Sequence, residues 1–455
     1  MTALPFSTSS AATPVHILRG GAWRAWAEQQ PEAVTRLAAA QDFRAQAGRT
    51  FHALTDSGAL IVFGVAEAAT PMALGALASS LAEGDYTLAE APEDWDRTYC
   101  AIAWALGAYA FERYKPRKRG PARLVPPADA DMDEAALIAR AAYLARDLVN
   151  TPTNDMGPDA LNAEARRVAA DGGATLTAIV GDSLLELNYP LIHAVGRAAS
   201  EAPRLLHIAW GEDDHPRVAI VGKGVTFDTG GLDIKSAGGM RLMKKDMGGS
   251  AHALALTQMI MEAKLPVRLD TFIPVAENAI SGNAFRPGDV ITSRKGLSVE
   301  IDNTDAEGRL ILADALARAS EDAPELLFNF ATLTGAARVA LGPDLPPFYT
   351  PNDALASELN AASEASFDPI WRLPLWDPYD GEMDSPIADL KNGGDAGFAG
   401  SIYAALFLRK FIEAKSWAHF DVYAWAPKEK PARPKGGEAQ ALRACWGVLK
   451  KRYAS

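Results

Sequence analysis

Short apolar runs alternate with amphipathic stretches through the middle of the chain, and this alternation constrains the fold more than any other feature. The runs have the length of strands, and the stretches between them carry apolar residues at helical spacing. Such alternation is typical of a largely parallel sheet covered by helices on both faces. It predicts strands at 205–210, 218–221, 267–274, 298–301 and 326–331, and helices at 158–170, 249–263 and 306–320.

A segment dense in proline, glycine and charge, KPRKRGPARLVPPADADMDE, precedes this region at residues 115–134. Before it, the pattern predicts a strand at 60–65 and an apolar helix at 99–113. The composition of the segment is that of a domain boundary. We therefore predict two domains, a smaller N-terminal α/β domain at 1–125 and a larger C-terminal α/β/α catalytic domain at 126–455. The second would contain a mixed, largely parallel central sheet.

Charge and composition exclude several classes of protein. The chain has 45 Lys and Arg against 57 Asp and Glu, a net charge of −12, which argues against general binding to nucleic acid or anionic membranes. No window approaches the run of about 18 apolar residues that spans a bilayer, and the N-terminus lacks the pattern of a signal peptide. The only cysteines, Cys100 and Cys445, cannot form a disulfide framework. We expect a cytoplasmic protein with no membrane partner.

One basic cluster departs from the acidic average. It lies within the 115–134 segment and just before it, and two interpretations stay open: a solvated linker, or a patch for nucleic acid or an acidic partner. Because the chain as a whole is acidic, we do not expect nucleic acid as a partner. The cluster consists of Arg113, Lys115, Arg117, Lys118, Arg119 and Arg123.

The densest chemistry follows the strand predicted at 218–221. That strand runs into Gly222-Lys223-Gly224, and paired glycines accompany Asp228, Lys235 and Asp246. Glycine pairs let the backbone approach a ligand closely, and functional sites of α/β sheets lie at the carboxyl ends of parallel strands. None of the seven histidines forms an i, i+4 pair, so any metal site must rely on carboxylates.

A second acidic cluster, Asn303-Thr304-Asp305-Ala306-Glu307-Gly308-Arg309, follows the strand predicted at 298–301. Taken alone, it could be a helix N-terminus whose acids complement the helix dipole. Together with Asp228 and Asp246, however, these carboxylates would repel one another unless divalent cations compensated their charge. The oxygen-rich set suits zinc in an imposed geometry, and equally manganese, magnesium or cobalt.

The stretches VGKGVTFDTGGLDIKSAGGMRLMKKDMGG and NTDAEGRL resemble the paired signatures of the leucyl aminopeptidase (cytosol aminopeptidase) family of dinuclear metallo-exopeptidases. The resemblance covers residues 148–427. It includes Asn150-Thr151-Pro152 and the runs ENAISGNAFRPGDVI, ATLTGAARVALG and WAHFDVYAWA.

The resemblance implies two divalent metal ions per subunit, zinc or manganese, with magnesium or cobalt as alternatives. Position by position, Lys223, Asp228, Asp246 and Glu307 would hold the tightly bound ion, whereas Asp228, Asp305 and Glu307 would hold the exchangeable one. Lys223 can coordinate only as a neutral amine, so the metal must lower its pKa far below about 10.4.

The resemblance also implies the reaction, which is hydrolysis of the N-terminal residue from peptides by a hydroxide that bridges the two metals. Lys235 and Arg309 match the two catalytic basic residues. Lys235 would stabilise the developing oxyanion, and Arg309 would bind a bicarbonate ion that acts as general base. The substrate would contact Met243 and Thr332 through its first side chain, and Leu333 and Gly335 through its backbone.

The family likeness further implies a homohexamer that acts on peptide substrates. Two alternatives remain: a narrow dipeptidase, for example for Cys-Gly, and a non-catalytic DNA-binding or scaffold relative. All five ligand positions and both basic residues are present, which argues against a silent relative. The segment Lys435-Gly436-Gly437-Glu438-Ala439-Gln440 departs from the family pattern near the pocket, so a strict preference for leucine does not follow.

Overall fold

The computed structural model describes residues 3–56, 58–394 and 397–454. The outermost residues of the predicted domains, 1, 2 and 455, lie outside this part. Contacts within the chain divide it into two compact units, Met1–Tyr143 with Pro427–Lys435, and Leu144–Ala426 with Gly436–Ser455. The domain limits of 1–125 and 126–455 stay a prediction.

The first unit is built on a five-stranded sheet. Its elements are β1 (Thr13–Arg19), α1 (Trp23–Glu28), α2 (Glu32–Ala40), β2 (Thr50–Thr55), β3 (Gly58–Val65), α3 (Leu74–Ser80), β4 (Gly84–Glu90), α4 (Arg97–Ala108) and β5 (Ala122–Leu124). The strand order is β2-β3-β1-β4-β5. Only β2 pairs antiparallel, with β3; the other neighbours are parallel.

Strand β5 lies inside the segment 115–134, which the composition predicts to be a boundary. The strand has three residues, of which Ala122 and Leu124 are buried. So short a stretch does not give a recognisable alternation of apolar and polar residues. The basic cluster is partly ion-paired. Arg117 lies 3.0 Å from Glu112, and Arg123 lies 2.8 Å from Asp85.

Helix α5 (Met132–Asn150) runs through the division between the units. The second unit continues with α6 (Pro158–Asp171), β6 (Thr175–Val180), α7 (Ser183–Glu186), α8 (Pro190–Gly196), β7 (Arg204–Trp210), β8 (Arg217–Gly222), β9 (Gly224–Asp228), α9 (Ala237–Met240), α10 (Gly248–Glu262), β10 (Arg268–Asn278), β11 (Val290–Thr292), β12 (Ser298–Glu300), α11 (Glu307–Glu321), β13 (Leu326–Ala331), α12 (Gly335–Leu341), β14 (Pro347–Tyr349), α13 (Asp353–Ala365), β15 (Trp371–Arg372), β16 (Leu390–Lys391), α14 (Gly400–Arg409), β17 (Trp417–Asp421), β18 (Trp425–Ala426), β19 (Gly436–Gly437) and α15 (Leu442–Tyr453).

The central sheet of the second unit has the order β15-β14-β17-β13-β8-β10-β7-β6, and β9 also pairs with β10. Strands β17, β13, β8 and β10 run parallel, whereas β6, β7 and β14 add antiparallel pairs. This confirms a mixed, largely parallel sheet. One assignment was wrong: β12, predicted at 298–301, belongs to a separate three-stranded sheet, β11-β12-β16. An apolar run specifies a strand but not the sheet that it joins.

The centre of the sheet is buried on both faces, as parallel sheets require. Every residue of β13 is buried, and so are residues 218–222 of β8. Ala219 and Val221 share a core cluster with Leu310 and Leu312 of α11. This packing fixes the carboxyl ends of β8, β9, β13 and β17, where the polar residues discussed below lie. Within the described part of the chain, no helix combines the length and apolar character needed to cross a bilayer.

Candidate active site

Lys223 lies at the centre of the polar cluster, directly after β8. Its backbone is anchored to the neighbouring elements, because its N–H donates to the Phe330 carbonyl at 2.9 Å and its carbonyl accepts from the N–H of Ser250 at 2.8 Å. The side chain passes close to α11. A Cβ added at Gly308 would lie 2.5 Å from Cε of Lys223, so only glycine leaves room for this lysine.

Four carboxylates reach the same place from three segments. Asp228 ends β9, Asp246 lies on a 3₁₀ helix at Met243–Met247, and Asp305 and Glu307 lie where another 3₁₀ turn leads into α11. Oxygens of Asp228, Asp305 and Glu307 lie within 4.8 Å of one another. The structure therefore brings together all the residues predicted to bind metal.

Two lysines partly compensate this charge. Nζ of Lys223 lies 2.6 Å from Oδ2 of Asp246 and 2.9 Å from Oε1 of Glu307. Nζ of Lys235 lies 2.8 Å from Oδ2 of Asp228 and also contacts Asp305. With all six groups ionised, two negative charges remain uncompensated in a mostly buried cluster, which is an unfavourable state without a cation.

The pKa shifts express the same imbalance. Burial and the neighbouring Asp228 raise the pKa of Glu307 well above its ordinary value, and the same two causes raise the pKa of Asp305 to about 6. Burial alone would lower the pKa of Lys223, but Asp246 and Glu307 raise it. A bound cation would lower the pKa of both carboxyl groups, because added positive charge favours the ionised carboxylates.

Several oxygens of the cluster have no donor other than a lysine among the described residues. Oε2 of Glu307 is buried without a partner, whereas Oε1 of Glu307 and Oδ2 of Asp246 contact only the Lys223 ammonium. The other oxygen of Asp246 accepts from Oγ1 of Thr332 at 2.8 Å, and Oδ1 of Asp228 accepts from the N–H of Gly230 at 2.9 Å. Buried oxygens that are held in place and lack donors are suitable cation ligands.

Arg309 lies two residues after Glu307 and is half-buried. Its Nη1 donates to the carbonyl of Asn392 at 2.6 Å, whereas its buried Nε has no hydrogen-bond partner within the described part of the chain. Burial lowers the pKa of Arg309 to about 10, so the guanidinium still carries its charge at neutral pH. It can therefore donate to an anion.

The predicted substrate residues lie on two segments beside the carboxylates. Met243 begins the 3₁₀ helix that carries Asp246 and is half-buried. Thr332 is buried and its Oγ1 donates to Asp246, whereas Leu333 is half-buried and Gly335 is exposed at the start of α12.

Three positioning residues were missed from the sequence, although two lie in runs that carry the family resemblance. Nδ2 of Asn278, at the end of β10, donates to Asp228 at 2.9 Å and to the Thr304 carbonyl at 3.1 Å. Asp421, at the end of β17, accepts from the N–H of Leu333 at 2.9 Å. Asn392 accepts from the N–H groups of residues 302 and 303. For Asn278 and Asp421, the sequence offered one signal of such a role: each is a polar residue at the end of an apolar strand.

Buried contacts hold Glu438 and Gln440 in the segment 435–440, where the sequence departs from the family pattern. Glu438 is buried and its Oε2 lies 3.1 Å from Nη2 of the fully buried Arg146. The carboxylate is thus ion-paired inside the unit. The next residues are fixed as well, because Oε1 of Gln440 accepts from the N–H groups of Tyr423 and Ala424, both at 2.9 Å.

Models of known families match both parts of the chain. Residues 143–446 match the catalytic domain of the cytosol aminopeptidase family, and residues 13–127 match the N-terminal domain of the M17 aminopeptidases. The chain belongs to the cytosol aminopeptidase family. A probable cytosol aminopeptidase from Stenotrophomonas maltophilia is 40% identical over 396 residues, which are 84% of this chain and 79% of that protein.

Two solved structures are also similar to this chain. The cytosol aminopeptidase of Coxiella burnetii is 42% identical, with a TM-score of 0.94 over 98% of this chain and 99% of that one. The bottromycin maturation enzyme BotP in complex with Mn is 31% identical, with a TM-score of 0.88 over 97% of this chain and 100% of that one. The predicted family, fold class and activity are confirmed: the protein is a metal-dependent aminopeptidase, a hydrolase.

Proposed function

We propose that the carboxylate cluster binds two divalent cations, manganese or zinc, with magnesium or cobalt as alternatives. Lys223, Asp228, Asp246 and Glu307 would hold the first ion, and Asp228, Asp305 and Glu307 the second. The observation that carries this proposal is the buried, uncompensated negative charge, together with Oε2 of Glu307, which is buried without a partner among the described residues. The manganese in BotP is consistent with it.

The cations would compensate the carboxylate charge and activate a water molecule for attack on the scissile amide. Lys223 would have to lose its proton to become a ligand, so metal uptake and proton release would be coupled. Asn278 would keep the Asp228 carboxylate oriented through its hydrogen bond at 2.9 Å. Thr332 would do the same for Asp246.

Lys235 and Arg309 would act on the substrate itself. The Lys235 ammonium would donate to the carbonyl oxygen of the scissile bond as negative charge develops there. Arg309 would hold bicarbonate in its planar guanidinium fork, and the bicarbonate would serve as general base. The Nε of Arg309, which has no partner in residues 3–56, 58–394 and 397–454, is the donor that supports this assignment.

Peptides would bind by their free amino terminus, with the amine beside Asp246 and Asp305. The first side chain would lie against Met243 and Thr332, and the backbone would contact Leu333 and Gly335. We further propose a cytoplasmic homohexamer. The relatives named as cytosol aminopeptidases support the location, and the resemblance to the family supports the oligomer.

The test begins with the metal-free enzyme. Aminoacyl amides should be hydrolysed only after manganese, zinc or cobalt is added back, and an N-acetylated peptide should resist cleavage. Glu307→Gln should lower the metal content measured by mass spectrometry, whereas the exposed control Glu364→Gln should not. Full metal content in Glu307→Gln would refute the ligand assignment, and equal cleavage of the acetylated peptide would refute amine recognition.

A further inference from the structure

Two cations share one aromatic ring beside the carboxylate cluster. Nζ of Lys245 lies 5.1 Å from the ring centroid of Tyr423, and the guanidinium carbon of Arg338 lies 4.6 Å from the same centroid. Both distances are within the range of cation–π attraction. We call Lys245, Arg338 and Tyr423 the cation–tyrosine cluster.

Neither cation has a carboxylate within ion-pairing distance among the described residues. The nearby carboxylates have other partners. Asp246 contacts Lys223 and accepts from Thr332, whereas Asp421 accepts from the backbone of Leu333 and from the hydroxyl of Thr334 at 2.6 Å. Among the described residues, Asp246 and Asp421 act on Lys245 only from beyond ion-pairing distance, so the two positive charges of the cluster are incompletely compensated.

This arrangement is costly for Lys245 in particular. The residue is only 2% exposed, and a buried cation without an anionic partner is strongly unfavourable. The aromatic ring recovers part of this cost but leaves both groups able to donate to an anion. Arg338 is half-exposed, and Nη1 makes one long hydrogen bond, 3.4 Å, to the carbonyl of Thr334. A carboxylate that entered from solvent could be bound by both cations.

The cluster lies on the segments to which we assign the first side chain of the substrate. Lys245 is on the same 3₁₀ helix as Met243, and Arg338 hydrogen-bonds the loop that contains Thr332. The N–H of Val422, beside Tyr423, donates to the carbonyl of Ala331 at 2.8 Å, so the segments of Tyr423 and Thr332 are adjacent. A Cβ added at Gly248 would lie 2.5 Å from Cβ of Ala424 and 2.9 Å from Cγ2 of Thr332.

We propose that the cation–tyrosine cluster recognises a carboxylate on the first side chain of the substrate, so that the enzyme favours peptides that begin with aspartate or glutamate. This inference rests on the proposed function, which places the substrate amine beside Asp246. Lys245 directly precedes Asp246, so the nearest part of the substrate would be its first residue rather than its C-terminal carboxylate. Arg338 and Lys245 are thus specificity residues and take no part in bond cleavage.

The experiment compares isosteric substrates with the metal-loaded enzyme. The ratio of kcat/KM for Glu-Gly amide to that for Gln-Gly amide should exceed one in the native protein. In Arg338→Gln and in Lys245→Met it should fall at least about tenfold, equivalent to ~1.4 kcal/mol of transition-state discrimination. The value of kcat/KM for Gln-Gly amide should change much less. Arg241→Gln, an exposed cation outside the cluster, should leave the ratio unchanged.

Free dipeptides distinguish the two sources of carboxylate. If the preference followed the C-terminal carboxylate, with Gln-Gly favoured over Gln-Gly amide and no effect of the first side chain, the proposal would be overturned. An unchanged Glu-to-Gln ratio in a folded Arg338→Gln enzyme would overturn it as well. Inactivity of the metal-loaded native enzyme on every amide would instead refute the proposed function.

Discussion

The buried pair between Arg146 and Glu438 offers a quantitative test of the structure. The side chains of Arg146 and Glu438 are 0% and 4% exposed, and Nη2 of Arg146 lies 3.2 and 3.1 Å from the two carboxylate oxygens. Glu438→Gln keeps the shape but removes the negative charge. Loss of one partner from a buried pair typically costs about 3–5 kcal/mol. We expect about 3 kcal/mol here, because the glutamine oxygen can still accept from Arg146.

The assay is urea unfolding followed by circular dichroism, at fixed protein and metal concentrations. The control is Glu413→Gln, which removes an exposed partner of Lys295 at the same type of contact. Glu413 is 68% exposed, so this change should cost only about 0–1 kcal/mol. If both variants lost the same free energy of unfolding, Glu438 would not be held by a buried ion pair and the reasoning would be wrong.

Two further predictions concern the carboxylate cluster. Lys235→Met should lower kcat about 100- to 1,000-fold with unchanged metal content, whereas the exposed control Lys451→Met should leave kcat unaltered. A rise in KM with unchanged kcat would contradict an oxyanion role. Because the raised pKa of Asp305, about 6, makes this carboxyl neutral in acid, protons should compete with the exchangeable metal. Equilibrium dialysis should therefore give weaker Mn²⁺ binding at about pH 5 than at about pH 8; equal affinity would exclude Asp305 as a ligand.

Much of the second unit was predictable because its signals are local. Predicted helices at 158–170, 249–263 and 306–320 correspond closely to α6, α10 and α11, since apolar spacing and glycine breaks set helix limits within the segment itself. The short β5 was not predicted, and β12 was placed in the wrong sheet. Both outcomes depend on partners that lie far along the chain.

The four candidate carboxylate ligands were identified from two short stretches of sequence, because so many acidic side chains beside glycines repel one another unless a cation is bound. Lys223 was identified as a ligand only through the family resemblance. Asn278, Asn392 and Asp421 were not identified, because each acts through a hydrogen bond to a residue at least 50 positions away. The sequence around a single asparagine or aspartate at the end of a strand does not indicate which remote residue it will hydrogen-bond.

The sequence by itself determined the alternation of strands and helices, the acidic clusters and the absence of histidine pairs, because these follow from the order and type of neighbouring residues. Only the tertiary structure decided that Glu438 would pair with Arg146 inside the unit, and that Lys245 and Arg338 would share the ring of Tyr423 without a carboxylate partner among the described residues. The physical reason is that electrostatic energy depends on distance and burial, and both are set by how remote segments pack.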